Sequence, residues 1–180
     1  MITIALISVA IFLAFAVVVF FLAAVRANKG LMAVANQPSS LPVALVVDVE
    51  APEIVCDAAW TAAEWWSREL GGQVFDEIAG EITVTVLKPA APAGDDYMAR
   101  ATMTFADDHK KMTAAFIHIA DTATFDRRVL TRALAHELGH VLGLDHDQVR
   151  ASVMFPQTAG GADFVLLAAD RQLLRARYSL

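Results

Sequence analysis

Residues 136–147 read His-Glu-Leu-Gly-His-Val-Leu-Gly-Leu-Asp-His-Asp, and no other stretch restricts the fold of this chain so strongly. The spacing is H-E-x-x-H-x-x-G-x-x-H. His136 and His140 are four residues apart, so on an α-helix they project from one face and can reach one metal ion. Glu137 falls on the neighbouring surface, near the metal without having to bind it. Gly143 is expected to end the helix, because glycine tolerates positive φ just past a helix end. The chain then turns back, and His146 can supply a third nitrogen. Three protein ligands leave one position open, which is the pattern of a catalytic zinc and not of a structural one.

Zinc polarises a scissile carbonyl and acidifies water. Glu137 can then take a proton from the attacking water and return it to the leaving amine. The shorter pattern H-E-x-x-H is weak alone; the third histidine and the glycine make it specific. Some H-E-x-x-H enzymes use a downstream glutamate as third ligand. This chain has no glutamate after Glu137, which removes that ligand set. An aspartate ligand (Asp145, Asp147, Asp163 or Asp170) stays open, with His146 the better placed.

The extended motif, followed by Ser152-Val153-Met154-Phe155-Pro156, resembles the metzincin zinc peptidases and their methionine turn. Residues 162–178 resemble the closing helix of matrixin-like members. The resemblance covers residues 41–180 loosely and 129–178 well. It implies a metzincin-like zincin domain of α/β (α+β) class with a mixed twisted sheet, an active-site helix, a methionine turn and a C-terminal helix. It also implies that Met154 lies beneath the metal as an apolar floor. The strand near Ala114–Ile119 would be the sheet edge over the cleft, where an extended peptide can pair. The segment Gln157–Asp163 would shape the pocket beyond the scissile bond. There are departures. Asp147 stands where matrixins usually carry serine; it resembles the adamalysin branch, yet that branch is rich in disulfides and this chain has one cysteine. No tyrosine lies two residues after Met154, so an astacin-like extra ligand is absent. His109 and His118, with Asp107, Asp108 and Asp121 near them, do not complete the second-metal ligand set of some matrixins. One catalytic zinc and no second structural metal are expected.

Residues 1–25 carry no charged side chain and are almost continuously apolar. A helix of that length spans a bilayer core. The alternative, a cleavable signal peptide, calls for a basic n-region and a shorter apolar core. The expected organisation is therefore a transmembrane anchor or signal sequence over 1–25, a polar linker over 26–40, and a catalytic domain over 41–180. Arg26 and Lys29 follow the apolar run, and by the positive-inside bias they favour a cytoplasmic domain. The metzincin resemblance implies the opposite, extracytoplasmic side, and that is the expectation adopted.

The domain of about 140 residues is large enough for a real core. A net charge of −6 disfavours a nucleic-acid partner. The single cysteine, Cys56, excludes an internal disulfide and is expected to be buried as a small apolar side chain ahead of a helix. Strands are expected at Leu41–Val49, Glu81–Leu87, Met98–Phe105 and Met112–Ile119. A helix is expected over Asp57–Leu70, ending at Gly71-Gly72, with Trp60, Trp65 and Trp66 serving packing. Lys88–Asp96 reads as a loop and Asp107–Lys111 as a turn. Asp126 is expected to cap the motif helix. Leu166, Leu167, Leu173, Leu174 and Tyr178 are expected to share one face of the last helix.

These features together predict a membrane-tethered zinc metalloendopeptidase acting on peptides or unfolded proteins. A zinc-binding interaction module without catalysis, and a zinc amidase acting on cell-wall peptides, are the alternatives.

Overall fold

The computed structural model describes residues 38–78, 80, 82–87, 98–106, 112–120, 126–156 and 163–180. The apolar run 1–25 and nearly all of the 26–40 linker lie outside them, as do His109, Asp107, Asp108, Asp121, residues 88–97 and residues 157–162. Asn36–Leu180 forms one compact unit. Among the described residues, no helix is long and apolar enough to cross a membrane.

Among the described residues, five strands form one sheet in the order β2-β1-β3-β5-β4. They are β1 (Val43–Val47), β2 (Phe75–Asp76), β3 (Thr83–Val86), β4 (Ala99–Phe105) and β5 (Met112–Ile119). The first four in that order run parallel, and β4 is antiparallel to β5, so the sheet is mixed. Alternation puts Val43, Leu45, Val84, Val86, Ala115, Ile117 and Ile119 on the buried face. The other face carries Val46, Thr85 and Phe116 in register.

Helix α1 (Glu53–Leu70) and helix α2 (Arg127–Val141) cover the buried face. α1 begins four residues before the expected Asp57, since Pro52 presets the N-terminal turn. Cys56 therefore lies inside the helix, half-buried and not fully enclosed. Ala58, Ala59, Ala62 and Ala63 are buried, and these small side chains let α1 approach the core closely. Trp66 locks the two helices together: it is fully buried and its Nε1 donates to the Ala135 carbonyl of α2 at 3.0 Å. Trp65 packs edge-on against Trp66 and tilts against Phe164.

Two further expectations are corrected, and one short strand carries no sequence signal. Among the described residues β5 is not the edge strand; β4 is, because β5 pairs on both sides. β2, only two residues long, gave no alternation to read. The last helix, α3, spans Ala168–Tyr178, so Leu166 and Leu167 precede it. Of the five residues expected on its buried face, Leu173 is 37% exposed, while Leu174 is fully buried.

Candidate metal centre

Helix α2 positions the first two histidines. Asp126 caps it by accepting from the Arg128 amide at 2.9 Å, satisfying one orphan N–H of the first turn. The helix closes at Val141, Leu142 keeps a right-handed conformation, and Gly143 turns with φ 90°. That value is left-handed territory that a side chain would strain.

The turn brings His146 back to the helix. The Nε2 atoms of His136, His140 and His146 lie 3.1 Å from one another in all three pairings. Two of the rings are held from behind. His136 Nδ1 donates to the Val153 carbonyl at 2.8 Å, and His140 Nδ1 donates to the Leu144 carbonyl at 2.8 Å. A carbonyl only accepts, so each Nδ1 carries the proton, and in the neutral ring Nε2 is a bare lone pair. Burial favours that neutral form: it lowers His136 to about 4 and moves His140 in the same direction.

Bare nitrogens turned toward each other at this distance repel unless a cation sits among them. A triangle with 3.1 Å sides has a centre about 1.8 Å from each corner, just inside the zinc–imidazole distance of about 2.0–2.1 Å. The donor set therefore fits zinc in distance, ligand type and orientation. Among the described residues this is the one group of three or more metal-ligating side chains. No described aspartate joins it. Asp147 instead accepts from the Val149 amide at 2.7 Å, Asp163 lies in the segment before α3, and Asp170 sits in the first turn of α3.

Met154 is fully buried, in a turn closed by the Met154 amide donating to Ser152 Oγ at 2.9 Å. The turn is tied to both ends of the ligand set. Val153 holds His136, and the Asp147 amide, next to His146, donates to the Met154 carbonyl at 3.1 Å.

Glu137 is buried beside the histidines, and its Oε2 accepts from the Ala101 amide of β4 at 2.7 Å. Burial pushes its carboxyl up to about 7; the Ala101 bond and the Arg100 charge oppose that rise. The cavity in front has a volume of about 630 Å³, and Met98–Ala101, Arg132, Phe155 and Pro156 line it together with Glu137 and the three histidines. The roles of Ala101, Val153 and Leu144 had no sequence signal, because all three act through backbone atoms. Gly139 lies inside the motif and could have been noticed: a Cβ there would overlap Met154 Sδ. Gln157–Ala162, most of the segment expected to shape the substrate pocket, lie outside the described residues.

The sequence profile of the matrixin peptidase family matches residues 51–179. No curated protein matches the chain in sequence. Among solved structures, the fold is similar to archaemetzincin from Methanopyrus kandleri, at 16% identity and a TM-score of 0.52, over 77% of this chain and 96% of that one. The three-histidine centre is a site for one catalytic zinc ion, and the chain belongs to the matrixin family of zinc metallopeptidases.

Proposed function

We propose that the protein is a metalloendopeptidase that cleaves extended segments of peptides or unfolded proteins, with Glu137 as the general base. The observation that carries this reading is the bond from the Ala101 amide to Glu137. It joins the proton-transfer group to the strand edge on which a substrate would lie.

In an antiparallel ladder a residue's N–H and C=O point the same way, and the direction alternates along the strand. The Ala101 amide points at Glu137, so Ala99, Ala101 and Met103 turn their backbone groups away from β5. An extended peptide pairing with that edge runs past Glu137 and the three histidines. The recognition is through backbone, so it suits unfolded or loop substrates of varied sequence.

Zinc, when bound by His136, His140 and His146, supplies Lewis acidity to a peptide carbonyl and acidifies water. Glu137 contributes the proton traffic. One oxygen is fixed by Ala101, which leaves the other to face the attacking water. A carboxyl near neutrality can both accept the water's proton and give it to the departing amine. Gly143 gives the turn its shape, and Met154 supports the floor. Residues 1–25 would tether this domain to a bilayer on its extracytoplasmic side.

The test is cleavage of casein and of a broad peptide library by the full chain in detergent, with termini profiling of the products. Glu137→Ala should lose about 10²–10⁴-fold in kcat/KM and retain its zinc. Unchanged activity in that variant would remove Glu137 from the chemistry. Full zinc occupancy without cleavage of any library member would favour the interaction module, and products confined to cell-wall peptides would favour the amidase. Protease protection on intact cells or spheroplasts reports the side of the membrane.

A further inference from the structure

The stretch between the second and third metal ligands, Val141 to Asp145, has little regular structure of its own. Its amides point back into α2: Leu142 to the Leu138 carbonyl, Gly143 to His140, and Leu144 to Gly139. Its carbonyls face outward, as they do at any helix end. Leu144 is taken by the His140 ring. Leu142 and Gly143 are taken from a distant part of the chain. Arg177 Nη1 donates to the Leu142 carbonyl at 3.0 Å and to the Gly143 carbonyl at 3.3 Å, and Tyr178 Oη donates to Leu142 at 3.2 Å.

We infer that Arg177 and Tyr178, at the end of α3, are positioning residues that clamp this turn and so set where His146 meets the other two ligands. The inference rests on the three-histidine zinc reading. The turn is thereby fixed at both ends, by the clamp at Leu142–Gly143 and by the Asp147 amide bound to Met154. His146 lies between the two fixed points and is the most exposed of the three histidines.

The chemistry of Arg177 argues that it does more than fill space. Its Nη2 is buried and makes no hydrogen bond among the described residues. Burial also holds the guanidinium below its usual range. An apolar side chain could pack there without that desolvation cost. A cation does something an apolar group cannot: it binds the free carbonyls at the negative end of the α2 dipole. The docking of α3 does not require it. Leu174 is fully buried, and Arg171 binds both the carboxylate and the backbone carbonyl of Glu69 on α1. Anchor and clamp are therefore separate features of one helix.

The experiment measures zinc affinity of the full chain in detergent by chelator competition, together with the visible absorption of the cobalt-substituted protein. Arg177→Ala should weaken zinc binding about tenfold or more, in the range of substitutions behind metal ligands, and alter the cobalt bands. Tyr178→Phe should do less, and Arg177→Lys, which can reach one carbonyl, should recover part of the loss. Arg171→Ala should lower the melting temperature and leave zinc affinity unchanged. If Arg177→Ala fails to fold, the Arg177→Lys/Tyr178→Phe double variant carries the same comparison. Tight zinc binding by the wild type with unchanged affinity and cobalt spectrum in these variants overturns the clamp alone. A wild-type chain that binds no zinc overturns the metal centre and the clamp with it.

Discussion

Gly139 and Met154 meet so closely that no side chain fits between them. A Cβ on Gly139 would overlap Met154 Sδ and press on Trp66 Cζ2 at 3.1 Å. The active-site helix thus rests directly on the methionine turn through its one residue without a side chain. Alanine would gain about 1 kcal/mol in helix propensity, whereas overpacking a filled core costs about 1–3 kcal/mol. Overpacking should win, because Met154 and Trp66 are both fully buried. Gly139→Ala is expected to be destabilised in denaturant unfolding and to bind zinc more weakly, since Val153 beside Met154 orients His136. A variant more stable than wild type would mean that the turn has room to move.

Zinc removal should be visible as lost stability as well as lost activity. Zinc fits the folded site, so at a thousandfold excess over Kd it adds about 4 kcal/mol. Chelation should lower the melting temperature and abolish cleavage, and added zinc should restore both. His146→Ala should imitate the chelated protein with little further response to chelator.

The Ala101 amide serves Glu137 and not the β4–β5 ladder. Proline lacks the N–H and is tolerated on edge strands. Ala101→Pro should therefore keep the sheet and the zinc while freeing the Glu137 carboxylate, with kcat/KM falling about tenfold or more. Circular dichroism and zinc content check the first half, and peptide cleavage checks the second. Full activity in a folded Ala101→Pro protein would show that Glu137 finds its place without this bond.

Tyr178 predicts a dependence on alkaline pH. Burial raises its phenol to about 12, with the Arg177 charge opposing. In the unfolded chain it ionises near 10. Below that, both states hold the proton and stability is intact. As pH rises from about 10 to 12 the unfolded state releases its proton first, so stability falls, by on the order of 2 kcal/mol once pH exceeds the folded value. Tyr178→Phe should be slightly less stable at neutral pH, having lost the bond to Leu142, and should show a shallower alkaline decline in urea unfolding. Equal slopes in the two proteins would argue that the phenol is exposed to water.

Much of the fold was legible because it is written locally. β5 begins and ends where alternation from Met112 to Ile119 predicts. The α2 cap at Asp126 and the chain reversal at Gly143 follow from residue chemistry and neighbours in sequence. Lateral strand order is different. Alternation tells which face of β5 is buried, yet it says nothing about whether one or two strands flank it. The resemblance implies Ala114–Ile119 as the cleft edge, and among the described residues the edge is Ala99–Phe105; no pattern within either strand distinguishes the two.

The sequence by itself determined the first two zinc ligands and favoured His146 as the third, since two histidines one helical turn apart and another beyond a glycine form a donor set with few other uses; the structure decided for His146 over the aspartates. It also determined the class of the fold through its periodicities. Only the tertiary structure decided how those ligands are held. The groups that orient His136, His140 and Glu137 are the backbone atoms of Val153, Leu144 and Ala101, and a backbone atom has no letter in a sequence. The closing helix reaches the carbonyls at Leu142 and Gly143 from some 35 residues away. Such a bond depends on where the packed core places two distant helices, which no local pattern encodes.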